Sequence, residues 1–208
     1  GAAIAIGSPR GLAIDNKGNL VFADPTNRRI RLHCILAEAL CEGRVPDYHY
    51  HLAGVGASSV GWNFNAFLTP MGLPQGLAED SYGNLVFADA TNFVTRILCY
   101  DVSHPGFCNR KQAGTSYVIA GNGVTGNAAD NTLALANSIG TITGVEVDAS
   151  GNVLLADSTN RTIRLVCAST TDLCLGKTLG NLYRMIGNTA AADTADNAVA
   201  ASNGMGTP

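Results

Sequence analysis

Gly11-Leu-Ala-Ile-Asp-Asn-Lys-Gly-Asn-Leu-Val-Phe-Ala-Asp24 returns, lightly altered, as Gly76-Leu-Ala-Glu-Asp-Ser-Tyr-Gly-Asn-Leu-Val-Phe-Ala-Asp89 and again as Gly144-Val-Glu-Val-Asp-Ala-Ser-Gly-Asn-Val-Leu-Leu-Ala-Asp157. Asp24 and Asp89 lie 65 residues apart, Asp89 and Asp157 68 apart. A period of that size marks stacked supersecondary units, as in a solenoid, a propeller or an array.

Each unit opens on Gly and a short alternating run, Leu12-Ala13-Ile14 in the first copy. Asp15-Asn16-Lys17-Gly18-Asn19 has the composition of a tight turn, with Gly18 free to take positive φ. Leu20-Val21-Phe22-Ala23 reads as a strand, and Ile30-Arg31-Leu32-His33-Cys34 alternates apolar and polar in the manner of another. Tyr48–Leu52, Ser116–Ala120 and Leu182–Ile186 supply a fourth strand in the three copies. No window sustains a helical period. The expectation is an all-β chain of three four-stranded antiparallel blades, with repeats at about 9–73, 74–141 and 142–207 of a single 1–208 segment.

The pattern Gly-Leu-Ala-x-Asp-x-x-Gly-Asn-Leu-x-x-Ala-Asp-x-x-Asn, followed by Arg beside an apolar residue, resembles the NHL repeat, whose blades form β-propellers. Leu52-Ala53-Gly54, Ile119-Ala120-Gly121 and Ile186-Gly187 look like the strand that precedes each blade in bacterial members. The resemblance covers almost the whole chain. Its units are longer than the about 40–45 residues of compact propeller repeats, and they carry cysteines that cytoplasmic members lack. It implies a fold more than a job, since propellers of this kind include binding platforms, lyases and RNA readers.

Cys34, Cys99 and Cys167 each follow the blade Asp by ten residues, and Cys41, Cys108 and Cys174 each precede the next strand's Gly by thirteen. One pair per repeat predicts three local disulfides, Cys34–Cys41, Cys99–Cys108 and Cys167–Cys174. Zinc is the rival reading, but its ligands usually sit closer together. Disulfides imply an oxidising compartment, so the chain is expected to be extracellular, on a cell surface or periplasmic. The net charge of −3 and 13 scattered basic residues argue against nucleic acid. No apolar run is long enough to span a membrane.

Gly7-Ser8-Pro9 aligns with Gly206-Thr207-Pro208, three whole periods apart. Propellers close with about 4–8 blades, so three call for further blades of the same protein or for self-association. Any export signal would lie upstream of Gly1.

A catalytic group serves one site, whereas Asp24, Asp89 and Asp157 recur in every unit with Asn27, Asn92 and Asn160 and with Arg31, Arg96 and Arg164. Such repetition reads as scaffold. The turns at Asp15, Asp80 and Asp148 lack the further carboxylates of a calcium loop. Departures from the repeat say more. Glu79 stands where the other copies have Ile14 and Val147, and Glu146 where they have Ala13 and Ala78. Either carboxylate could face the channel or a seam between blades, where burial would demand a partner or a raised pKa. His49 and His51 share one strand face, a spacing that zinc or copper accepts, in a single repeat without an evident third ligand.

The long loops Val55–Leu73, Asn122–Thr141 and Asn188–Thr207 fill one slot in each unit and are expected on one face. The first holds Trp62, Phe64 and Phe67, rings suited to a sugar or a partner protein. The expected role is a non-enzymatic, cofactor-free scaffold that presents these loops for protein or glycan binding. The alternatives are a subunit polymerising into a surface filament or sheath, and a lyase or hydrolase with its site in the channel.

Overall fold

The computed structural model describes residues 5–60 and 62–187. The loop Asn188–Thr207 and the Gly206-Thr207-Pro208 match therefore lie outside the described residues. Regular structure consists of strands and short 3₁₀ turns. The first sheet runs β1 (Arg10–Ile14), β2 (Leu20–Asp24), β3 (Arg29–His33) and β4 (His49–Ala53) in sequence order, every pair antiparallel. The four expected strands recur in the second sheet as β6 (Pro74–Glu79), β7 (Leu85–Asp89), β8 (Val94–Cys99) and β9 (Thr115–Ala120). In the third they are β11 (Ile142–Val147), β12 (Val153–Asp157), β13 (Thr162–Val166) and β14 (Asn181–Ile186).

Two sheets hold one strand more than the sequence reading supplies. Residues 63–65 of the first long loop form β5 (Asn63–Asn65), which pairs with the outer edge of β9. Residues 132–133 of the second loop form β10 (Thr132–Leu133), which does the same on β14. The two described loops therefore run equivalent courses, pinned to a sheet edge rather than free. Each leaves one blade, crosses the gap and clasps the outermost strand of the next. Asn92 and Asn160 tighten the clasp by donating to the loop carbonyls of Ser59 (2.9 Å) and Gly126 (2.7 Å).

The turn between the first two strands of each sheet needs a left-handed residue, and Gly18, Gly83 and Gly151 supply it at φ of 95°, 85° and 82°. The opening Gly of each unit has a different purpose. A Cβ on Gly11 would overlap the Gln75 carbonyl, and one on Gly76 would fall 2.6 Å from the Gly144 Cα. The innermost strands β1, β6 and β11 thus meet backbone to backbone, which only glycine permits. Two apolar cores form in the seams. Val21, Ala23, Ile30 and Leu32 of the first sheet pack with Leu77, Leu85 and Phe87 of the second. Val86, Ala88 and Ile97 of the second pack with Ile142, Val153 and Leu155 of the third. Met71 and Ile139, from the long loops, are fully buried in these seams.

All six cysteines pair as the spacing predicts, with Cα–Cα separations of 5.6, 5.5 and 5.7 Å for Cys34–Cys41, Cys99–Cys108 and Cys167–Cys174. Each closes the connection between a blade's third and fourth strands. Among the described residues no helix is long and apolar enough to cross a membrane.

Candidate functional site

The repeated polar residues hold the turns. Asp89 accepts from the Gly72 backbone N–H at 2.8 Å and from Asn92 Nδ2 at 2.9 Å, and it pairs with Arg96 Nε at 2.9 Å, with both side chains fully buried. Asp24 and Asp157 repeat the arrangement with Asn27 and Arg31 and with Asn160 and Arg164. Burial would raise the Asp24 pKa, but the bonds from Asn27 and Arg31 outweigh it and hold the carboxyl below its usual value. In the Asp15 turn the carboxylate accepts from the backbone of Lys17 and Asn19, and Asn19 Oδ1 in turn accepts from Ile35 and Leu36. These oxygens are committed to backbone.

Glu79 lies elsewhere. Its side chain leaves the end of β6 and reaches the first blade, where Oε1 accepts from the Asn16 N–H at 3.3 Å. Oε2 is buried and finds no partner among the described residues. Burial, with Asp15 and Asp80 nearby, pushes the carboxyl up to about 7, although the Asn16 bond pulls the other way. It lines a cleft of about 620 Å³ at the seam of the first two blades, together with Asn16, Leu40, Arg44, Tyr82 and Tyr100. Burial raises the Tyr100 hydroxyl pKa too. Glu146 does not join Glu79. It is exposed on β11, and its Oε1 accepts from the Val147 N–H at 3.2 Å.

The three rings of the first long loop have different neighbours. Trp62, 46% exposed, lines a groove of about 320 Å³ with Phe107, Lys111, Tyr117, Leu133 and Leu135, between the outer rims of the second and third blades. Phe64 stands exposed on β5, and Phe67 packs edge-on to His51 at 5.6 Å. His51 and His49 share a face as expected. His49 lies 4.6 Å from His33, ring to ring, and burial holds the imidazoles of His49 and His51 below their ordinary pKa. Among the described residues no cluster of His, Cys, Asp and Glu has the geometry for a metal ion.

The sequence reading missed one recurring device. Arg44, Lys111 and Lys177 each precede a tyrosine by six residues, and each cation sits over that ring, at 4.6, 5.0 and 5.3 Å from Tyr50, Tyr117 and Tyr183. The three hydroxyls accept from the backbone of Val45, Gln112 and Thr178. The spacing was the available signal. Lys111 and Tyr117 in the groove belong to this repeated device, whereas Trp62 is unique to its loop.

Solved structures share the arrangement of sheets. One is a Bacteroides thetaiotaomicron protein of unknown function, 15% identical with a TM-score of 0.58, matched over 78% of this chain and 36% of its own. A gluconolactonase from Xanthomonas campestris is 13% identical with a TM-score of 0.52, over 86% of this chain and 48% of its own. An auxiliary nutrient binding protein from B. thetaiotaomicron is 10% identical with a TM-score of 0.52, over 85% and 35%. The last two are β-propeller proteins. The chain folds as propeller blades. It spans about a third to a half of the length of these three structures. No protein-family model and no curated protein matches it.

Proposed function

We propose that the chain is a non-enzymatic binding module of an extracytoplasmic NHL-type propeller, and that the groove beside Trp62 takes a glycan. The half-exposed indole carries this reading. A sugar presents an apolar C–H face that stacks on an aromatic ring, and its hydroxyls need donors and acceptors close by. Trp62 offers the ring, and Asn63 and Lys111 line the same groove. At about 320 Å³ the groove falls at the lower end of the range for small-ligand sites, roughly 300–1,000 Å³. That suits one or two sugar units. Three disulfides support an oxidising compartment. The nutrient-binding neighbour carries a similar fold at an identity too low to transfer its ligand.

Trp62 is the single tryptophan of the chain, so its fluorescence reports on the groove directly. Titration with a panel of neutral oligosaccharides is expected to give a saturable emission change. Calorimetry with Trp62→Ala is expected to lose that binding while the melting curve stays unchanged. A flat titration across the panel, or a Trp62→Ala chain that binds as well as the parent, overturns the reading. A saturable change with peptides alone reassigns the groove to a protein partner.

A further inference from the structure

The cleft at the first seam is where the second blade stops copying its neighbours. Aligned by the repeat, Glu79 replaces Ile14 and Val147, and Tyr82 replaces Lys17 and Ser150. Tyr100 replaces Ile35 and Ala168, and Asp101 replaces Leu36 and Ser169. All four line the cleft of about 620 Å³. The loop that carries the last two is also longer, since Cys99 and Cys108 lie nine residues apart against seven in the other disulfides. The second seam lacks this chemistry. There Ser150, Ala168 and Ser169 line a space of about 360 Å³, with no charged side chain on its wall among the described residues. The same place in the fold is thus built twice and furnished once.

The departures supply complementary groups. Glu79 brings a carboxyl whose Oε2 is buried without a partner among the described residues. Burial first, then Asp15 and Asp80, resist its ionisation and push its pKa up to about 7. A positive charge beside it removes that resistance. Tyr82 offers a ring that is 38% exposed, and a cation gains from contact with such a face. The longer loop props this ring. His104 stacks on it at 4.3 Å with the planes 10° apart, and His104 Nδ1 lies 2.8 Å from Asp101 Oδ2. Leu40, Val102 and Tyr100 add apolar wall, and the first blade contributes the charges of Glu42 and Arg44. Arg44 already lies over Tyr50, and the Asp101 oxygens are taken by Ser103 and His104. Around Glu79 the carboxyls of Asp15, Asp80 and Glu42 outnumber the one guanidinium, so the cleft favours positive charge.

We propose that this cleft binds a small organic ammonium ion, with the charged nitrogen on Glu79 and the apolar body along Tyr82 and Leu40. The site shares no lining residue with the Trp62 groove and is independent of it. Its volume of about 620 Å³ falls within the roughly 300–1,000 Å³ of small-ligand sites. Binding is coupled to a proton. The ammonium pairs with the ionised carboxyl, so at a pH below the Glu79 pKa the ligand must displace the proton that the carboxyl holds. Affinity therefore rises with pH up to that value and levels above it.

Phenethylamine is a suitable probe, because an alkylamine titrates near ~10 and stays charged over the range that matters. Calorimetry on the parent chain is expected to show saturable binding whose affinity rises about tenfold between about pH 5.5 and about pH 8. Phenethyl alcohol, the neutral counterpart, is expected not to bind, a comparison that needs no variant to fold. Glu79→Gln is expected to bind the amine more weakly and with no dependence on pH. Tyr82→Ser, which copies the third blade, is expected to weaken binding several-fold and keep the pH dependence. No saturable binding of the amine overturns the proposal, and so does an alcohol that binds as well. A Glu79→Gln chain that keeps the parent's pH profile overturns it too. Tighter binding of phenylalanine than of the amine also overturns it, since Arg44 would then be holding a carboxylate.

Discussion

Glu79 shows how one residue can depart from a repeat at a measurable cost. Where the other blades place Ile14 and Val147, it buries a carboxyl whose pKa rises from 4.5 unfolded to about 7, first through burial and then through Asp15 and Asp80. A raised pKa means that the folded chain holds this proton more tightly than the unfolded one. The stabilisation is full below the unfolded value and disappears as the pH rises through the folded one. Thermal melts from about pH 4 to about pH 8 are expected to show the parent losing stability relative to Glu79→Gln, with the gap levelling above the folded value. Parallel curves would mean an ordinarily solvated carboxyl. At this scale the sequence was legible through contrast: Asp24, Asp89 and Asp157 read as scaffold because they recur, and Glu79 stood out because it does not. Its partner Asn16 was hidden, since it lies 63 residues away across a seam.

At the scale of elements, four strands per blade announce themselves by alternation, turn glycines and β-branched residues, and the structure puts them where those signals fall. The clasping strands do not. Asn63-Phe64-Asn65 and Thr132-Leu133 are too short to show a period, and they are extended only because an edge stands ready to pair with them. Nearness in sequence likewise does not tell that Trp62 lines a groove, Phe64 stands exposed and Phe67 meets His51. The disulfides were legible because their pairing is local. Replacing Cys99 and Cys108 by Ser is expected to cost roughly 2–3 kcal/mol by loop entropy, read from urea unfolding at equal slope. Because both sulfurs are buried beside the seam of the second and third blades, the loss should spread to both. A midpoint unchanged from the parent would show that packing alone holds that loop.

For the molecule as a whole, protection follows from the order of the blades. The strands β7 and β8 are buried along their full length between two neighbours, while β1 alternates between exposed and half-buried residues and β14 ends exposed. Hydrogen exchange on the chain is expected to be slowest in β7 and β8 and fastest in β1 and β14. Uniform exchange would instead describe a single cooperative unit. The number of blades in the whole propeller was the least legible feature, because a repeat states how a unit meets its neighbour and is silent on how many neighbours there are.

The clasp has a consequence for how such a chain can change over generations. Among the described residues each long loop completes the rim of the blade that follows it. In-frame gain or loss of one unit of 65 or 68 residues would rejoin a loop to the edge it was shaped for and orphan nothing inside the chain. The fold can then lengthen or shorten by whole blades without leaving an edge half-built.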